Sequence, residues 1–265
     1  MTMISIYESP GILAYFCVVA LALGTALGSF LNCAAWRISR RESFIRGRSR
    51  CPACGHLLAP VDLIPVASWL LLRGRCRYCG GKVSPRYMWT ELCFGLLTTL
   101  CLLHFDLTVL CLRNEIFLCC LFCLSLVDME IMEIPDGCLI VSVLAWLTAL
   151  PFLWQGWTAV AVSLGSAVIY GGGLLGMSLV MDRIMKKESL GGGDIKLFAV
   201  VGLYLGFTGA LFALLLSCMM GLLLAALLRA GRGRSFPFGP AIAAASAVML
   251  FWGERLSGWY LGLFR

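Results

Sequence analysis

Two aspartates stand at the margins of apolar runs, where a pair of carboxylates could carry out hydrolysis. Asp128 closes the run from Phe117 to Val127, and Asp194 follows three glycines in Gly191-Gly192-Gly193-Asp194-Ile195-Lys196-Leu197. An ionisable group at the edge of hydrocarbon costs at least a few kcal/mol unless it has a partner, water or a function. Two such groups therefore point to one shared polar site. With one proton between them, one carboxylate can take a proton from an attacking water while the other polarises a peptide carbonyl. Asp194 also has a structural reading, because glycines followed by Asp and an apolar run form a helix N-cap pattern. The two readings are compatible, since glycine also lets an extended backbone lie close to the carboxylate. Nothing in the spacing alone brings Asp128 and Asp194 together.

Asp128 runs into Met129-Glu130-Ile131-Met132-Glu133-Ile134-Pro135-Asp136-Gly137, an acidic segment that stops at proline and glycine. It is expected to be a short turn between helices, with Pro135 ending helical geometry for its predecessor and Asp136 capping the next helix. Glu130 and Glu133 read as solvated turn charges.

A second chemistry lies in the cysteines. Of fourteen, ten are scattered through or beside apolar runs, where a thiol acts as a small apolar side chain. The other four form Cys51-Pro52-Ala53-Cys54 and Cys76-Arg77-Tyr78-Cys79. Two such knuckles supply four thiolates in tetrahedral reach, so Cys51, Cys54, Cys76 and Cys79 are expected to hold a structural zinc with no position left for a reacting water. A module of about 30 residues is too small for a self-sufficient core, so the metal would supply much of its folding energy. His56 is surplus to that set, and Gly55, Gly80 and Gly81 suit the tight turns behind the knuckles.

These groups must be positioned by membrane helices. The chain of 265 residues is 60% hydrophobic and 13% charged, with a mean hydropathy of +0.91, too apolar for a soluble domain. The alternation of a β-barrel is absent, so the expected fold class is an all-α polytopic membrane protein. Eight spans are expected at approximately 11–35, 88–105, 108–128, 138–154, 157–181, 195–207, 209–229 and 238–256. The sixth covers only about 20 Å at 1.5 Å per residue. Gly24-x-x-x-Gly28 in the first span fits a helix-packing face as well as ordinary small-residue content.

The net charge of +7 is concentrated in residues 37–86, where eleven Lys or Arg face only Glu42 and Asp62. By the positive-inside rule that loop is cytoplasmic. Threading eight spans from it puts Arg183, Lys186, Lys187, Arg229, Arg232 and Arg234 on the same side, with Asp128 and Asp194 near that face. Arg73, Arg75, Arg77, Lys82 and Arg86 read as a solvated basic rim that can also meet anionic lipid. A basic loop beside a membrane needs no nucleic acid to explain it, and none is expected as a partner.

Several motifs in one order resemble the type IV prepilin peptidase family over most of the chain. They are Gly28-Ser29-Phe30-Leu31-Asn32, the two cysteine knuckles, Ile64-Pro65 to Leu72-Arg73-Gly74, Tyr87 to Glu91, Asp128 to Pro135-Asp136, Gly191 to Leu197, and Pro237-Phe238-Gly239-Pro240. The resemblance implies a bacterial inner-membrane aspartic peptidase that removes the short basic leader from prepilins and pseudopilins at the cytoplasmic face. It places the catalytic pair on Asp128 and Asp194. It also implies methylation of the new N-terminus with S-adenosylmethionine, with Gly28 and Asn32 as candidates for that cofactor. No glycine-rich strand-to-helix nucleotide motif accompanies them. The implied organisation is a first span at 1–36, a cytoplasmic zinc-ribbon-like domain at 37–87 and a transmembrane peptidase domain at 88–265. Departures are small: Ile134 stands where Leu is common, and Gly192 where the family varies. Basic leaders are expected to be read by Glu130, Glu133 and Asp136, not by the basic loop.

Three other functions compete. A cation-coupled transporter would need ion-binding aspartates at mid-membrane depth and inverted repeats. A membrane-anchored zinc adaptor would have no use for Asp128 and Asp194. A presenilin-like peptidase would lack the cysteine module and the Gly28 to Asn32 segment.

Overall fold

A computed structural model describes residues 6–43, 47–186, 190–227 and 236–263. Lys187, Arg229, Arg232 and Arg234, and residues 44–46 of the arginine-rich stretch, lie outside the described residues. The helices are α1 (Pro10–Ile38), α2 (Ala67–Leu71), α3 (Pro85–Phe105), α4 (Val109–Ile131), α5 (Asp136–Ala149), α6 (Trp157–Met185), α7 (Gly192–Leu227) and α8 (Gly239–Gly262). Among the described residues β structure is confined to two isolated bridges, Arg50 with Leu57 and Arg75 with Lys82. Five helices, α1, α3, α4, α6 and α7, are long and apolar enough to cross a membrane. The chain is an all-helical, multi-pass membrane protein.

The chain divides into two compact units, Met1–Glu115 and Ile116–Arg265. In the first, α1 and α3 pack closely. Both begin with the N-terminal signals expected of helices: Ser9 and Ser84 cap backbone N–H groups, and Pro10 and Pro85 follow them. The packing uses glycine from both sides. A Cβ on Gly24 would stand 2.6 Å from the Thr98 Cβ, and one on Gly95 would stand 2.6 Å from the Thr25 side chain. Gly24-x-x-x-Gly28 is therefore a helix-packing face, as one of its two readings held.

In the second unit, Phe117, Leu118, Leu121, Leu124 and Val127 of α4, Leu197, Phe198 and Val201 of α7 and Ile242 and Ala245 of α8 are all buried. Phe117 stacks on Tyr204 with ring centroids 3.9 Å apart, and the Tyr204 hydroxyl donates to the Ser142 carbonyl of α5 at 2.8 Å. One aromatic residue thereby ties three helices together.

Three boundaries differ from expectation. The eighth expected span continues past residue 256 to Gly262. The fourth expected span stops at Ala149 instead of residue 154; Pro151 removes an amide donor and disfavours helical geometry just before it. The sixth and seventh expected spans form a single hydrogen-bonded element, α7, which is broken at Gly206 with φ 66° and ψ −174°. A straight helix would put Gly221 roughly 40 Å from Asp194. Gly221 instead lies against the Phe238 ring, next to the Gly239 whose amide bonds Asp128. The chain therefore folds back at Gly206, whose positive φ favours glycine. Each half of α7 packs on a different neighbour: Gly202 against the Ser166 backbone of α6, Gly221 against Phe238.

Candidate active site

Asp128 lies one turn from the end of α4. The helix stops because Met132 adopts a left-handed φ of 55° while its N–H still bonds the Asp128 carbonyl at 2.9 Å. The expected stop at Pro135 thus comes earlier. Asp128 is 5% exposed, and its Oδ2 accepts a hydrogen bond of 2.8 Å from the Gly239 N–H at the start of α8. The first N–H groups of a helix have no partner within it, so this one is free to orient a carboxylate. Only glycine leaves room for that approach: a Cβ on Gly239 would stand 2.8 Å from Asp128 Oδ2 and 3.1 Å from its Cγ.

Asp194 occupies the first turn of α7. It is not the N-cap residue that the sequence pattern suggested, because the helix already begins at Gly192, and the Asp194 and Ile195 amides both bond the Gly191 carbonyl. Its half-buried side chain lies close enough to Asp128 for the two carboxylates to interact electrostatically. The carboxylates of α4 and α7 are thus electrostatic neighbours.

Two contacts join the segments that carry the pair. Gly193 lies so close to Ile134 that a Cβ would stand 2.9 Å from the Ile134 Cβ, whereas one on Gly192 would meet nothing within 4 Å. The glycines of one motif thus have different work: Gly193 permits close approach and Gly192 does not need to. The second contact is an ion pair of 2.8 Å between Lys196 Nζ and Asp136 Oδ1. Asp136 is the first residue of α5, preceded by Pro135, and its side chain makes this pair instead of the expected helix cap. Glu130 and Glu133 are exposed, as a solvated turn requires.

The four cysteines of the first unit also meet. The Sγ atoms of Cys51, Cys54, Cys76 and Cys79 all lie within 4.8 Å of one another, two buried and two exposed. Tetrahedral thiolates about 2.3 Å from a zinc ion fit that spread. The knuckles repeat one turn: the Cys51 and Cys76 amides bond the carbonyls of His56 and Gly81, and the Gly55 and Gly80 amides return to Cys51 and Cys76. The Cys51 thiol is pulled down to about 7 by the backbone N–H of Cys54, then that of Ala53. The Gly81 amide acts to lower Cys79, but hydrogen bonds within the thiol cluster, led by Cys54, and burial outweigh it and push Cys79 up to about 11. A cation is what relieves four crowded thiols of their protons. His56 stands outside the cluster, its ring 3.7 Å from that of Tyr78. Asp62 braces the module by accepting from Arg77 Nε at 2.7 Å and from the Tyr78 hydroxyl at 3.2 Å. The Arg77 guanidinium holds the Asp62 carboxyl below its usual range.

Gly28 and Asn32 lie on the buried face of α1. A Cβ on Gly28 would stand 3.0 Å from the Phe94 Cβ and 3.1 Å from the Glu91 Cα, so the residue serves helix contact. The Asn32 amide nitrogen donates to the Gly28 carbonyl at 3.2 Å and to the Thr90 hydroxyl. Gly28 offers S-adenosylmethionine no side-chain group, and with the Asn32 donor engaged on the helix pair its Oδ1 acceptor is what that side chain would bring to such a cofactor.

Two positions with notable contacts were missed by reasoning from residue types. Gly239 is part of a motif noted only through resemblance; the signal was a glycine just ahead of Pro240 at a helix start. Glu91 is a buried carboxylate whose Oε2 accepts the Val66 N–H at 2.8 Å, and the argument applied to Asp128 would have singled it out.

The chain is similar in sequence to known proteins. A family model of the bacterial peptidase A24 N-terminal domain matches residues 22–105, and one of the type IV leader peptidase family matches residues 115–226. A prepilin leader peptidase/N-methyltransferase of Bacillus subtilis is 32% identical over 92% of this chain and 97% of its own length. One of Stutzerimonas stutzeri is 30% identical over 93% of this chain and 94% of its own. One of Myxococcus xanthus is 35% identical over 84% of this chain, which spans 66% of that relative's length. No solved structure matches the chain.

Proposed function

This chain belongs to the type IV leader peptidase family, and from that premise we propose that it is a membrane aspartic endopeptidase that cuts the basic leader from prepilins and pseudopilins. The observation that supports the reading is the electrostatic interaction of Asp194 with Asp128 from separate helices, with the Asp128 carboxylate held by the Gly239 amide. One carboxylate takes the proton of an attacking water, and the other, protonated, donates to the peptide carbonyl oxygen as the tetrahedral intermediate forms. The carbon–nitrogen bond then breaks, with a proton passed to the leaving amine. Gly239 and the Gly193–Ile134 contact position the pair and do not touch substrate.

The site faces the cytoplasm of a bacterial inner membrane in this reading, because the basic loop and both aspartates fall on one side of the threaded spans. Exposed Glu130 and Glu133 receive the positive leader; Asp136 contributes less, since Lys196 already pairs with it. Charge reversal of Glu130, Glu133 and Asp136 without loss of cleavage would reject this assignment. Residues 37–87 form a zinc domain in which Cys51, Cys54, Cys76 and Cys79 close the metal's shell, so the ion stabilises the fold and takes no part in the cut. The names of the relatives extend the proposal to N-methylation of the new terminus. Gly28 and Asn32 serve it by fixing α1 against α3.

The test is leader cleavage by purified full-length protein in lipid, comparing the wild type with Asp128→Asn and Asp194→Asn at matched zinc content and thermal stability. Loss of a general acid or base is expected to slow cleavage by about 10²–10⁴-fold in each variant. Cleavage surviving in either removes that residue from the mechanism. A wild type that never cuts puts the transporter and adaptor functions ahead.

A further inference from the structure

The first unit carries an open cleft of about 540 Å³ between α2 and the second cysteine knuckle, lined by Trp69, Arg73, Arg75, Lys82, Ser84 and Pro85 among others. We propose that this cleft binds the headgroup of an anionic phospholipid and seats the cysteine loop on the membrane surface. The argument is independent of peptide cleavage.

Charge is the first observation. Arg75 and Lys82 are bridge partners on the two arms of the knuckle, directly opposite each other, and both line the cleft with Arg73. Like charges facing across a strand pair destabilise it unless an anion lies between them. Nearby Arg77 has its carboxylate in Asp62, but no ion pair joins Arg73, Arg75 or Lys82 to a described residue. Three cations converge on a space with no acidic lining.

Position is the second. Ser84 caps α3, and Pro85 is its first residue. The cleft therefore opens at the point where the chain enters a helix long and apolar enough to cross the bilayer, at the depth of lipid headgroups. A soluble phosphate would require no such placement.

Apolar exposure is the third. Leu70 and Leu71, on the helix that forms one wall, are 57% and 83% exposed. Trp69 beside them is half-buried, with its Nε1 bonded to the Val83 carbonyl and its ring packed over Gly74, where a Cβ would stand 2.8 Å away. Exposed leucines and a tryptophan next to cations with no ion-pair partner among the described residues are the composition of an interfacial anchor, whose apolar part enters the acyl boundary while its charges meet anionic headgroups. A basic leader would be repelled from this surface, which suits its recognition elsewhere.

The experiment is native mass spectrometry of zinc-loaded full-length protein titrated separately with phosphatidylglycerol, phosphatidylcholine and inorganic phosphate. Wild type is expected to prefer phosphatidylglycerol over phosphatidylcholine by at least about tenfold, with the preference weakened by salt. The triple variant Arg73→Gln, Arg75→Gln, Lys82→Gln is expected to lose that preference while keeping its zinc. If the triple variant loses zinc, Arg73→Gln alone is measured, and a reduced preference is required of it. An unchanged preference in the zinc-loaded variant, equal binding of the two lipids by wild type, or displacement of phosphatidylglycerol by millimolar phosphate overturns the proposal. Tighter binding of a single-stranded oligonucleotide than of phosphatidylglycerol at the same three residues also overturns it.

Discussion

Replacing Gly239 with alanine tests the geometry of the site without removing a catalytic group. The added Cβ would sit 2.8 Å from Asp128 Oδ2 and 3.1 Å from its Cγ, with the Asp128 Cβ 3.2 Å away. Ordinary non-bonded contact needs about 3.5 Å, so the carboxylate or the start of α8 must move by roughly half an ångström or more. The Gly239 N–H survives the substitution, but its 2.8 Å bond to the carboxylate does not keep its geometry. Displacements of this order cost up to about 10²-fold in rate when they misplace a reacting group, so Gly239→Ala is expected to lower kcat by about 10- to 100-fold. The substitution leaves the acidic side chains of Glu130 and Glu133 in place, so KM should stay within about twofold. Overpacking a buried site costs about 1–3 kcal/mol, visible as a modest fall in Tm. Cleavage would be followed over a range of substrate concentrations with purified protein in lipid nanodiscs, beside a thermal melt and a zinc assay. A Gly239→Ala enzyme with wild-type kcat and wild-type Tm would refute the idea that close approach of α8 positions Asp128.

The two glycines before Asp194 should separate. Gly193→Ala, with its Cβ 2.9 Å from Ile134, is expected to reduce cleavage by about tenfold and to recover partly in combination with Ile134→Ala, whereas Gly192→Ala should be silent; equal effects of both substitutions, read in the same rate assay, would reject the distinction. Lys196→Gln breaks an ion pair whose side chains are 59% and 62% exposed, so stability in a thermal or denaturant melt should change by no more than about 1 kcal/mol. Zinc uptake by chelator-stripped protein should weaken as pH falls below about 7, because the Cys51 thiolate that starts metal capture is then protonated; a flat dependence between pH 6 and 8 would contradict thiolate capture. Cys51→Ser with Cys54→Ser should abolish stoichiometric zinc and impair methylation more than cleavage, and equal loss of both activities would count against separate roles.

The residues themselves determined the parts of this protein that depend on local composition and spacing. Sustained apolar runs specify membrane helices, because backbone polar groups in lipid must bond within the segment. Two knuckles with three-residue steps specify a four-thiol cluster, because each tight turn delivers its own pair of sulfurs. The isolated carboxylates Asp128 and Asp194 stood out by their cost at the edge of hydrocarbon. Only the tertiary structure decided that they meet, since residues far apart in the chain come together through packing that no local pattern encodes. The reversal at Gly206 was hidden because a single positive-φ glycine turns the chain without any polar loop. Asp136 had the look of a helix cap until Lys196 came within 2.8 Å of it. Gly239 was silent for the same reason: its function is the space its missing Cβ leaves for a carboxylate on another helix, and a side chain's absence acquires meaning only when the neighbour is in place.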